Sequence, residues 1–190
     1  MHGFEYFVPT EIVFGADSTQ KLPELLKKRG LSRVLVVYGG ASAKKSGLLD
    51  RVFQLLEEAG VSYQTLGGVQ PNPRVALARE GVQLALESGA ELILAVGGGS
   101  VSDCCKIISA QAKLDEDIWD MEMVKHTFPS QFIPLGTIVT VFGTGSEMNA
   151  GAVITHEEKK LKSGIFGAQA DFAFLDPMYT LSVPFGQVIS

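Results

Sequence analysis

The segment Glu91-Leu-Ile-Leu-Ala-Val-Gly-Gly-Gly-Ser-Val-Ser-Asp103 constrains the fold more than any other stretch of the chain. Residues 91–96 form a short apolar run that reads as a strand. Three glycines follow, and they let the backbone turn sharply with no side chain in the way. Ser100 and Asp103 then open a predicted helix over 100–112, in the spacing of an S-x-x-D capping box. A phosphate can reach the N–H groups at such a helix start, where the macrodipole is positive, so the segment predicts a phosphate-bearing ligand. A second glycine-rich segment, Gly143-Thr-Gly-Ser-Glu147, about 40 residues further on, points the same way.

The chain before this segment repeats its pattern. Residues 34–38 read as a strand closed by Gly39 and Gly40, and 46–59 as a helix stopped by Gly60. Residues 61–66 read as a strand, followed by Gly67-Gly68 and the rigid turn Pro71-Asn72-Pro73. Residues 75–88 read as a helix with Gly89 behind it. Alternating strands and helices predict an α/β fold with a Rossmann-like parallel sheet flanked by helices. Ligands of such sheets sit beyond the carboxyl ends of the strands. Gly39-Gly40, Gly67-Gly68 and Gly97 to Gly99 all close strands, so they should crowd one edge.

Past residue 113 the pattern changes. Residues 115–126 are polar and helical or irregular, 132–141 read as a strand, and 173–175 as a last short strand before Asp176-Pro177. Residues 152–155 and the stretch around Lys162 form a predicted hairpin about the charged turn His156-Glu-Glu-Lys-Lys160.

With 190 residues the chain can bury a single real core. A net charge of −5 argues against a nucleic-acid partner, which wants a basic stripe. No run of 18 apolar residues is present and the start has no secretory pattern, so no membrane association is expected. Cys104 and Cys105 are neighbours on one predicted helix and poorly placed to staple a fold. They read as small core residues of a reducing, cytoplasmic compartment. His2, His126 and His156 are scattered; Glu122 and His126 could share a helix face, a spacing more typical of a solvated pair than of a metal site.

Taken together, Gly97-Gly-Gly-Ser-Val-Ser-Asp-Cys-Cys-Lys106, Gly143-Thr-Gly-Ser-Glu147, and Asp176-Pro177 with Thr180 and Pro184 resemble the iron-containing alcohol dehydrogenase family. The opening Phe7-Val-Pro-Thr-Glu-Ile-Val-Phe-Gly15 is similar to that family's first strand and turn. Tyr38 to Gly47 and Gly67-Gly-Val-Gln-Pro-Asn-Pro73 are similar to its NADP-dependent butanol dehydrogenase and aldehyde reductase branch. The resemblance implies a dinucleotide-binding domain over 1–180, with 181–190 starting the linker to an all-helical domain. In the family that second domain holds a divalent metal, iron or zinc, on one Asp and three His, which this sequence lacks. The implied activity is hydride transfer between a nicotinamide cofactor and a primary alcohol or aldehyde. The alternative is a non-catalytic nucleotide-binding module, or a subunit that pairs with a separate helical partner.

The resemblance also implies residue roles. Gly97, Gly98, Gly99 and Ser100 would hold the pyrophosphate, with Asp103 near the cofactor and substrate cleft. Thr137, Thr140, Thr144 and Gly145 would meet the adenosine or pyrophosphate side, although Thr is also an ordinary strand residue. Phe142 and Gly143 depart from the small residue or proline often found before Thr-Gly-Ser-Glu. Asn72 and Lys162 match positions near the nicotinamide; Asn72 also suits a plain turn and Lys162 plain surface charge.

NADP(H) is expected over NAD(H), because the end of the 34–38 strand carries Gly39, Gly40 and Ser42 in place of a carboxylate that would hold a ribose 2′-OH. Lys44 and Lys45 add positive charge nearby, or form solvated helix surface. Phe166, Phe172, Phe174 and Phe185 are candidates for an exposed apolar face, which predicts a homo-oligomer.

Overall fold

The computed structural model describes residues 3, 7–40 and 46–181. Six strands form one fully parallel sheet: β1 (Glu11–Phe14), β2 (Arg33–Tyr38), β3 (Ser62–Leu66), β4 (Leu92–Gly97), β5 (Leu135–Val139) and β8 (Phe172–Leu175). Their order across the sheet is β1-β8-β5-β4-β2-β3. Strands β6 (Gly151–His156) and β7 (Leu161–Phe166) make a separate antiparallel hairpin. The helices are α1 (Leu22–Arg29), α2 (Leu48–Glu58), α3 (Val75–Glu87), α4 (Gly99–Gln111) and α5 (Ile118–Met123).

Side chains of a strand alternate between its faces, and two cores follow from that. Val34 and Val36 of β2, with Leu92 and Leu94 of β4, pack against Leu22, Leu25 and Leu26 of α1 and Leu49, Val52 and Leu56 of α2. Leu35, Val37, Ile93 and Ala95 pack on the other face against α3 and α4. Both faces are covered, so β4 is buried along its whole length and reads as a continuous apolar run. The hairpin closes the second core, with Ala152, Ile154 and Ile165 joining Cys104, Cys105, Ile107 and Ile108.

The predicted alternation is present to within one or two residues at most element ends, and the 152–162 hairpin is present. Three expectations are corrected. Phe172 and Phe174 are fully buried, because β8 lies inside the sheet and its face joins the first core with Leu22, Leu25 and Leu26 of α1. Gly136 of β5 leaves room for the Phe172 ring, and each such burial contributes about 2 kcal/mol. Of the proposed exposed phenylalanines, Phe166 is exposed and Phe185 lies outside the described residues. Glu122 and His126 share no helix face: α5 ends at Met123 and His126 adopts a positive φ of 55°. Glu122 is buried instead, with Oε2 accepting the Phe166 N–H at 2.7 Å, and burial raises its carboxyl pKa.

From β2 the chain moves outward to β3, then crosses back over β2 to start β4 on its other side. The direction of winding reverses between β2 and β4, and their carboxyl ends open the crevice at a topological switch point.

Candidate functional site

Gly39 follows the last residue of β2 and Gly97 ends β4, on the two sides of that crevice. The loops beyond the strands are joined by backbone hydrogen bonds. Gly68 N–H donates to Gly39 O at 3.1 Å, Val69 N–H to Tyr38 O at 3.2 Å, and Thr140 N–H to Gly97 O at 3.0 Å. The three glycine clusters therefore meet at one edge, as their spacing predicts.

Gly97 is required by close approach: a Cβ there would stand 2.5 Å from Val101 Cγ2. Helix α4 thus leaves β4 with almost no gap. Gly98 is its N-cap, and Gly99 begins the helix. A Cβ on Gly99 would stand 2.7 Å from Thr144 Oγ1, so the second glycine-rich loop rests directly on the first. The Gly99 and Ser100 N–H groups at this edge precede the first hydrogen bonds of α4, which run from Val101 and Ser102 to Gly98 O. The arrangement offers an anion backbone donors, the positive end of a 13-residue helix, and the Ser100 hydroxyl.

The capping box is corrected here. Ser100 lies inside the helix, and no side chain caps Gly98. Asp103 looks outward: Oδ1 accepts from Ser146 Oγ at 2.7 Å and Oδ2 from Val153 N–H at 3.0 Å. It ties α4 to the second glycine-rich loop and to β6.

Sequence reasoning missed Lys106. Its Nζ donates to Ser146 Oγ (2.9 Å), Asn149 Oδ1 (3.1 Å) and Gly151 O (2.7 Å), with Asp103 Oδ1 at 3.8 Å. Asn149 Nδ2 then donates to Gly145 O at 2.8 Å. The available signal was a lysine among Cys104, Cys105, Ile107 and Ile108 on a helix buried nearly all round, a place that demands partners.

Asn72 and Lys162 also come together. Asn72 takes a left-handed φ of 58°, and its Oδ1 accepts from Lys162 Nζ. Beside them Thr155 N–H donates to Pro73 O at 2.8 Å and Arg74 pairs with Glu157 at 2.8 Å, docking the hairpin on this turn. Thr140 and Thr144 reach the edge; Thr137 does not. Thr137 is fully buried in the middle of β5, its Oγ1 without a partner. Ser42, Lys44 and Lys45 lie outside the described residues.

A cleft of about 470 Å³ continues from this edge, lined by Asp103, Thr144, Ser146, Asn149, Val153 and Phe166. A more enclosed pocket beneath α3, between Val75 and Trp119, has only about 20 Å³, roughly one water's worth, and lies apart from the glycines. Among the described residues no group of three or more His, Cys, Asp and Glu converges, so nothing described offers a divalent ion a full ligand set. No helix among them is long and apolar enough to cross a membrane.

A doubly covered parallel sheet with a glycine-lined helix start at its switch point defines a dinucleotide-binding α/β fold. Within that class the family is specific. Residues 9–177 match the model for iron-containing alcohol dehydrogenase, and the chain belongs to that family. It is 47% identical over 187 residues to a probable NADH-dependent butanol dehydrogenase of Bacillus subtilis, covering 97% of this chain and 48% of the relative. It is 39% identical over 192 residues to the NADPH-dependent aldehyde reductase YqhD of Escherichia coli, covering 99% and 49%. The crystal structure of an NADH-dependent butanol dehydrogenase A from Thermotoga maritima superposes with a TM-score of 0.93 at 36% identity, over 100% of this chain and 48% of that one. The chain spans about half the length of the relatives it matches.

Proposed function

We propose that the chain is the cofactor-binding half of an NADP(H)-dependent alcohol dehydrogenase or aldehyde reductase, acting on a primary alcohol or aldehyde in the cytoplasm. One observation carries the reading: Gly97 and Gly99 pack so closely on Val101 and Thr144 that β4 runs straight into α4 at the switch point, where a pyrophosphate can approach the start of that helix. In this reading Gly97, Gly98, Gly99 and Ser100 bind the pyrophosphate. Thr140, Thr144 and Gly145 wall its other side. Asn72 and Lys162 stand toward the nicotinamide, whose chemistry is to give or take a hydride. The described residues do not form a divalent-metal site.

The preference for NADP(H) rests on Gly39, because the relatives' names divide between NADH and NADPH. No carboxylate stands at the end of β2 to repel a 2′-phosphate. A Cβ at residue 39 would meet Val101 Cγ2 and Val69 O at 3.5 Å, which is ordinary contact. Gly39→Asp should therefore fold and move the preference toward NADH. Fluorescence titration of both proteins with NADPH and NADH tests this. Tighter NADPH binding that reverses in the variant is the expected result; an unchanged ratio defeats the specificity reading.

Two observations support further parts of the reading. Cys104 and Cys105 are free and buried, consistent with a reducing compartment. Among the described residues β1 has a neighbouring strand on one side only, and Phe14 is exposed at 71%; such an edge favours a homo-oligomer.

A further inference from the structure

Lys106 has no exposed side-chain surface, and its neighbours on α4 are Cys104, Cys105, Ile107 and Ile108. A buried ammonium is costly unless several acceptors surround it. Here the three acceptors lie on three successive pieces of chain: Ser146, Asn149 and Gly151. The opposite side is clasped as well. Ala168 N–H donates to Lys106 O at 3.3 Å, and a Cβ on Gly167 would stand 2.7 Å from the Lys106 carbonyl carbon. The contacts continue outward, since Asn149, once fixed by Lys106, holds Gly145 O. Lys106 itself does not line the cleft; Thr144, Ser146 and Asn149 do.

We propose that Lys106 is a positioning residue whose ammonium locks the 144–149 loop against α4, in the arrangement that lets this loop wall the dinucleotide cleft. The inference rests on the cofactor reading above. Three N–H groups serve three acceptors; a neutral amine has only two, so deprotonation leaves one acceptor unpaired. Burial lowers the Lys106 pKa to about 8, while Asp103 of α4 and Glu147 of the loop oppose that shift. From β6 it meets the Gly151 carbonyl.

The experiment is NADH affinity by fluorescence at pH 7, with amide hydrogen exchange over 144–149, on the wild-type protein, Lys106→Met and Asn149→Ala. Both variants should bind NADH about tenfold weaker and exchange faster over 144–149, while strand β4 keeps its protection. A folded Lys106→Met protein that binds and exchanges like wild type overturns the proposal. Should Lys106→Met not fold, Asn149→Ala decides, because Asn149 is exposed, and unchanged binding and exchange there overturn the proposal as well. If the wild type binds neither NADH nor NADPH, the cofactor reading falls first and this inference with it.

Discussion

The two glycine-rich loops stand against each other at one edge, yet different forces hold them. The Gly97-to-Gly99 loop is fixed by steric contact within its own strand–helix unit, where Val101 sits directly over Gly97. The Gly143-to-Gly145 loop has open space around both glycines, and Gly145 is needed for its left-handed φ of 61°. Its position comes from a distance, through Asp103 and Lys106 of α4. One loop is specified by its neighbours in sequence, the other by residues about 40 positions earlier. The first should therefore be rigid by packing, and the second should respond to charge.

The sharpest way to break this comparison is to add a side chain to each loop. Gly97→Val forces Val101 off β4 and should cost about 3 kcal/mol, the upper range for overpacking. Gly145→Ala meets no steric obstacle and should cost only about 1–2 kcal/mol, the left-handed backbone penalty. Thermal denaturation of both variants measures the difference. A larger loss for Gly145→Ala would reverse the account of which loop is packed.

A smaller effect concerns pH and the core of α4. The Lys106 amine is depressed to about 8, so the folded chain binds fewer protons than the unfolded chain between there and the ordinary lysine value of 10.5. Stability then rises with pH as this window is entered. The thiols act oppositely. Burial raises Cys104 to about 12 and Cys105 well above 9.0, so above pH 9 the folded state holds protons that the unfolded state has lost. Stability falls there. Urea midpoints should climb from pH 8 to about 9 and decline beyond it. A steady fall from pH 8 would show that Lys106 is not held as described.

Much of the fold was legible because β2, β4 and their helices carry local signals: short apolar runs, helical periodicity, and glycines at the ends. Helix α1 was overlooked although Pro23 stands in its first turn and Gly30 closes it with φ 67°. Its short periodic stretch gave less signal than the longer helices. Phe172 and Phe174 were misread because nothing local to 172–175 says that α1, about 150 residues earlier, packs over that face of the strand. At the site, the glycine edge was legible and the roles of Ser100 and Asp103 were not. A capping spacing and an outward tie to Ser146 look alike in sequence; only the placement of Gly98 as N-cap separates them. Lys106 and Asn149 meet across 43 positions, a pairing no periodicity encodes.

The central claim is that a dinucleotide lies on the carboxyl edge between β2 and β4, across both loops. Amide hydrogen exchange with and without saturating NADPH tests it most directly. The account predicts new protection at 98–102 and 144–148, with the amino ends of the strands near Arg33 and Glu91 unchanged. Protection confined to other segments, or none at a concentration that saturates binding, would contradict it.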